Sequence, residues 1–182
     1  GVTAMALDRG AGHGTAARMV SALVPLLCGL VFAFVANIPI SVTAGQVPPP
    51  LLALVPVYFW CLVRPDLMTP AAAFAIGLME DVLSGGPPGV WTLSFVLTYV
   101  LVSRQRDSFA SLSGLAAVLG FASAAAFCCA TAWTIIAILD WRLPPVSPIV
   151  GELIMTVLFY APVALLVGWL HHRLVGALRS DI

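Results

Sequence analysis

The chain has 182 residues, 61% hydrophobic and 9% charged, and its eight basic and eight acidic residues cancel. Its mean hydropathy is +1.06, whereas a soluble domain is about a quarter charged, so a small water-facing globule is excluded and lipid is the expected solvent. All basic residues are arginine and none forms a block, so no nucleic-acid partner is expected.

In chain order, residues 1–18 are expected to form a cytoplasmic N-terminal tail. Its GAGHG at 10–14 resembles a phosphate loop only superficially, because no strand precedes it and Thr15 stands where a third glycine belongs. The apolar run after Arg18 exceeds the ~7–15 residues of a signal-peptide core, so a first membrane span is predicted from about Met19 to Ile38. Proline, glycine and arginine punctuate the rest. Span two is predicted from Pro50 to Val63, ending at RPD, and span three from Pro70 to Leu83, ending at SGGPP. Span four runs from Gly89 to Val102, span five lies within 111–139, and span six runs from Pro148 to Leu170. Spans two to four fall short of the ~20 residues a bilayer asks for, and need tilt, thinning or burial against neighbours. The predicted architecture is an all-α, polytopic bundle of six transmembrane helices over residues 19–171, with a cytoplasmic tail at 172–182.

Arginine placement selects six spans. With both termini inside, Arg9, Arg18, Arg64, Arg104, Arg106, Arg173 and Arg179 share the cytoplasmic side and only Arg142 lies outside. Removing span three would divide the arginines evenly, against the positive-inside rule. Trp60, Tyr99 and Trp169 are then expected at inner ends of spans, and Trp91 and Trp141 at outer ends. Glu80, Asp81, Asp140 and Glu152 gather at the outer end, which is therefore acidic.

The stretch GLMEDVLSGGPPG at 77–89 is the most informative. Ala73, Gly77 and Asp81 follow one another at i, i+4, i+8, a face on which small residues let helices approach closely. Asp81 is thus expected on a packing seam. Glu80 is off that face and is expected near the outer surface, as readily solvated as buried. Two partners suit a buried Asp81: Arg142, the only basic side chain at that end, or backbone amides at the start of span four, since helix N-termini favour anions. The expected product is a tight outer hairpin anchored by one carboxylate.

These residues resemble the signature of the rod shape-determining protein MreD family: a glycine, an aspartate four residues later, then a Pro-Gly turn. Upstream, PVYFWCLVRPDLMTPAAAFAIG resembles the same family's proline, aromatic and Arg-Pro segment. The second proline of GPPG and the preceding Glu80 depart from the pattern or lie outside it. The resemblance implies that Arg64, Pro65, Gly77, Asp81, Pro87 and Gly89 carry structural or interaction roles. It also implies a bacterial inner-membrane component of the cell-wall elongation machinery. Its implied partners are a bitopic MreC-type protein, the peptidoglycan synthase and the actin-like filament. The implied fold is similar to the substrate-binding subunits of energy-coupling-factor vitamin transporters, and a transporter subunit for a small molecule is the alternative function.

Enzymatic readings have less to stand on, and no catalytic residue, cofactor or metal is expected. Adjacent His171 and His172 diverge by about 100° on a helix and suit an interface better than a metal. Cys28, Cys61, Cys128 and Cys129 lie in apolar segments without a CxxC pair, and are expected as small hydrophobes. Ser84 and Ser94 have no base to activate them. Glu152, after Pro148, is expected as a first-turn charge near a helix N-terminus.

Overall fold

Residues 23–38 and 48–175 are described by a computed structural model. They form α1 (Leu23–Ala36), α2 (Leu54–Val63), α3 (Pro70–Ser84), α4 (Val90–Arg104), α5 (Arg106–Ala110), α6 (Leu115–Asp140) and α7 (Val146–Leu170), and α7 continues into a π-helical turn, His171–Val175. No strand occurs among the described residues. The expected N-terminal tail at 1–18, residues 176–182 of the expected C-terminal tail at 172–182, and most of the loop after α1 lie outside them; residues 172–175 belong to the π-helical turn.

Each predicted span corresponds to a helix, with shifted ends. Residues 51–53 make a turn, so α2 begins at Leu54 rather than Pro50. α7 begins at Val146, two residues before Pro148. The short α5, in the loop after α4, was not expected. Among the described residues, two helices are long and apolar enough to cross a membrane: Leu115–Asp140, and Val146–Arg173 counted with the π turn. α2 has 10 residues and α3 and α4 have 15 each, so at 1.5 Å per residue none reaches the ~30 Å of a hydrocarbon core.

α2 is the centre of the packing. Leu54, Val55, Pro56, Val57, Tyr58, Trp60 and Cys61 are all buried, so this helix is apolar nearly all round and enclosed by its neighbours. α4 and α7 pack on it, as does α5, and α4 also packs against α3 and α6. Four aromatic rings bind this centre together. Phe121 and Tyr160 stack with centroids 4.2 Å apart, and Tyr58 meets Phe121 edge-on at 5.3 Å and Phe109 at 5.9 Å. Trp60, expected in an interfacial belt, is instead fully buried in this core.

Small residues set how closely helices approach. On α6, Gly120, Ala124, Cys128 and Ala132 recur every four residues and all are buried, alongside Phe121, Ala125 and Cys129. A Cβ at Gly29 of α1 would overlap the Ile76 side chain of α3. The closest approach to backbone is at Gly77, where a Cβ would stand 2.7 Å from Thr92 Cα and 3.0 Å from the Trp91 carbonyl oxygen. Outward faces carry large apolar residues in bulk, among them Val82, Leu115, Leu119, Leu158 and Leu165, each more than half exposed. Such a surface suits lipid and not water.

The loop between α2 and α3 is closed by an ion pair. Arg64 donates from Nε at 3.0 Å and from an Nη at 2.8 Å to the Asp66 carboxylate. These bonds hold the Asp66 carboxyl below its usual range and raise Arg64. The contribution is therefore present above the ordinary carboxylate pKa and is lost as pH falls through the depressed value. Both side chains are substantially exposed, so the pair contributes at most about 1 kcal/mol.

Replacing Gly77 by leucine must separate α3 from α4 or distort the α4 backbone. Overpacking of this kind costs about 1–3 kcal/mol, and here the obstacle is backbone. Gly77→Leu is expected to lower the thermal unfolding midpoint of the detergent-purified protein and its folded yield, whereas Asp66→Asn is expected to leave both almost unchanged.

Candidate functional site

The α3–α4 hairpin is built from three local signals. Thr69 starts α3, its Oγ1 accepting from the Ala72 amide at 3.1 Å, with Pro70 at the first helical position where a missing N–H has no consequence. Gly85 ends α3 at φ 66° and Gly89 precedes α4 at φ 95°. Both angles belong to the left-handed region, where glycine meets no Cβ penalty. Gly89 has no side chain with which to cap the helix that follows, so the free amides of α4 need an acceptor from elsewhere.

Asp81 supplies it from across the turn. Its Oδ2 accepts from the Gly89 amide at 2.9 Å and the Thr92 amide at 3.0 Å, and its Oδ1 accepts from the Trp91 amide at 2.8 Å. The Thr92 hydroxyl donates to Oδ2 as well. Asp81 is 4% exposed. A buried carboxylate needs an opposite charge or several donors, and here the donors are three amides and a hydroxyl at the positive end of a helix. Arg142, the other candidate, is exposed and makes no ion pair with Asp81; Arg64–Asp66 is the one salt bridge among the described residues. The amides stand closer because α4 starts immediately after the turn that Asp81 closes.

The expected site residues therefore divide. Gly77, Asp81 and Gly89 meet in one place: Gly77 lets α4 come close, Gly89 aims its amides, and Asp81 receives them. Pro87 lies in the turn between α3 and α4. Arg64 and Pro65 are in the α2–α3 loop, away from this cluster. Thr92 was not expected; a threonine three residues after a helix-opening glycine was the available signal.

Glu80, the neighbouring acid, departs from the solvated reading. It is 3% exposed. Its Oε1 accepts at 2.8 Å from Nδ2 of Asn37, in the turn just after α1, and its Oε2 is buried with no partner among the described residues. Glu152 is not a first-turn charge, because α7 starts at Val146 and Glu152 is its seventh residue; it is partly buried. One turn on, Thr156 is fully buried; its hydroxyl donates to the Glu152 carbonyl at 2.7 Å and accepts from the Leu51 amide at 2.9 Å, tying α7 to the start of α2. His171 does not lie free at an interface. Its ring packs edge-on against Trp60 with centroids 5.1 Å apart, while Arg173 stacks over Trp169 at 5.1 Å.

The profile of the rod shape-determining protein MreD family matches residues 17–171. The chain belongs to the MreD family. No curated protein and no solved structure matches it. Membership makes this an MreD-type membrane protein with a role in rod shape determination, and the matched region contains the whole Gly77–Asp81–Gly89 arrangement.

Asp81→Ala leaves three α4 amides and a threonine hydroxyl without their acceptor. A lost cap costs about 0.5–2 kcal/mol and each buried orphan donor a further ~1–3 kcal/mol. A loss of roughly 3 kcal/mol is expected in equilibrium unfolding of the purified protein. Asp81→Asn, which keeps one carbonyl acceptor but turns an N–H toward the amides, is expected to lie between alanine and wild type.

Proposed function

We propose that this MreD-family protein is a non-enzymatic, multi-pass scaffold of the cell-wall elongation machinery in the bacterial inner membrane. In this reading it binds a bitopic MreC-type protein and, with it, the peptidoglycan synthase, and so connects them to the actin-like filament. The observation that carries the reading is the use made of Asp81. Its oxygens are all engaged by the next helix, so the acid of the family motif acts as a structural clamp and has no free lone pair directed at a substrate. The protein then presents shaped, apolar helix faces, which is what a partner helix in a bilayer requires.

Six spans with both ends in the cytoplasm remain the topology we favour. The arginine asymmetry supports it, and so does the enclosure of α2, since a short helix surrounded by other helices need not match bilayer thickness alone. An architecture of the kind found in substrate-binding subunits of energy-coupling-factor transporters belongs to the same proposal. The second reading, a small-molecule transporter subunit, draws on Glu80 and Asn37, a part-buried polar pair joining α3 to the turn after α1.

Copurification separates the two. Extraction of the full chain in mild detergent is expected to recover a single-pass membrane protein with a large periplasmic domain, and Asp81→Ala is expected to lower that recovery several-fold. Recovery of a nucleotide-binding ATPase instead, with solute uptake lost in Asp81→Ala while partner assembly is normal, would establish the transporter reading. Side-specific labelling of both termini from the cytoplasmic face tests the topology.

A further inference from the structure

The beginning of α1 and the end of α7 face each other across a groove of about 350 Å³. Its α1 wall is Val24, Leu27, Cys28, Val31 and Phe32. These are spaced i, i+3, i+4, i+7 and i+8, so a whole apolar stripe of the helix is turned toward α7. The α7 wall is Leu166, Val167 and Leu170. Cys28 and Val167 are buried at the floor, while Leu27, Val31 and Leu166 are more than half exposed at the rim. Each helix is kept from closing the gap by its hold on another neighbour. Gly29 seats α1 against Ile76 of α3 with no room for a Cβ, and Asn37, just after α1, bonds Glu80 of α3. Thr156 ties α7 to the Leu51 amide before α2, and the His171 ring rests against Trp60 of α2.

Packed proteins keep few voids larger than a water molecule, so this gap calls for an occupant. Val24 to Phe32 covers about 12 Å of helix axis, which for this volume leaves a channel roughly 6 Å across. A helix with its side chains is about 10–12 Å wide and does not fit; one extended acyl chain does. Every lining residue is apolar, Cys28 acting as a small hydrophobe. The end of the groove differs in chemistry. The α7 wall stops at Leu170 and the π-helical turn follows, with His172 and Arg173 exposed and the Arg173 guanidinium 5.1 Å from the centre of the exposed Trp169 ring. Arginine beside an exposed tryptophan suits a membrane–water interface. In sequence, residues 9–50 and 153–180 hold Arg9, Arg18, Arg173 and Arg179 and no acidic residue.

We propose that this groove binds an anionic glycerophospholipid, with one acyl chain between α1 and α7 and the phosphate held at His172 and Arg173. The chain restores the dispersion contacts that an open gap forfeits. The phosphate oxygens take charge-assisted bonds from the guanidinium, whose planar fork matches them. A zwitterionic lipid offers the same chain without the net negative charge, so the basic end selects between headgroups. In the six-span topology proposed above, this lipid belongs to the cytoplasmic leaflet. The inference requires only that the chain lies in a membrane. It is separate from the scaffold reading, since lipid binding is read on the purified protein and partner assembly by copurification.

The test uses the full chain in detergent and a phosphatidylglycerol carrying a diazirine in one acyl chain. After photolysis, peptide mapping by mass spectrometry is expected to place the adducts within residues 24–32 and 166–170. Unlabelled phosphatidylglycerol is expected to compete about ten-fold better than phosphatidylcholine with the same acyl chains. Val31→Trp, at the exposed rim, puts a ring into the groove and is expected to reduce these adducts several-fold. Arg173→Gln is expected to remove the preference for phosphatidylglycerol, and Arg173→Lys, which keeps the charge, to retain it. Adducts spread evenly over the exposed helix faces overturn the proposal, and so does equal competition by the two lipids. An undiminished preference in Arg173→Gln overturns it as well, as does a copurifying protein chain that shields the groove from label. If Val31→Trp fails to fold, Leu166→Trp on the facing wall decides the matter in the same assay.

Discussion

One carboxylate organises the α3–α4 hairpin of this protein. Asp81 sits near the end of α3, and its oxygens take the first free amides of α4. Any helix start leaves amides without intrahelical partners, and in lipid no water is available to satisfy them. A glycine was needed at position 89 for its φ of 95°, which removed the residue that would ordinarily cap α4. The acid therefore had to come from the preceding helix, and once it does, the two helices and their turn behave as one unit.

That unit imposes a condition on its neighbours. The capping distances require α3 and α4 to run nearly in contact, which only a residue without a side chain permits at position 77, facing the backbone of Trp91 and Thr92. Seated this closely, α4 can pack on α2 and α6 at the same time. α2 is then enclosed, and its aromatic residues meet those of α5, α6 and α7 in one cluster around Tyr58 and Phe121. A ten-residue helix is too short to be an ordinary span; enclosed by other helices it has no need to be one.

The two adjacent acids show how sharply environment divides identical chemistry. Asp81 continues the small-residue face of α3 and meets a helix N-terminus. Glu80, about 100° round the same helix, is buried and meets the side-chain amide of Asn37, just after α1. The first is a completed structural device, and the second has one oxygen without a partner among the described residues. The first lies within the region that matches the MreD family.

Composition and spacing alone determined a good deal: a strongly apolar, all-helical chain, the positions of its helices, and the small-residue face through Ala73, Gly77 and Asp81. These are local or additive quantities, set by hydropathy sums, helical periodicity and glycine-proline punctuation. Tertiary structure decided which of two candidate partners Asp81 takes, that Glu80 is buried against Asn37, and that Trp60 belongs to the core. Each of these depends on distances between segments far apart in the chain, and on rotation of a helix about its axis. Arg142 and the α4 amides were equally admissible by charge; proximity across the turn, invisible in a linear sequence, chose the amides.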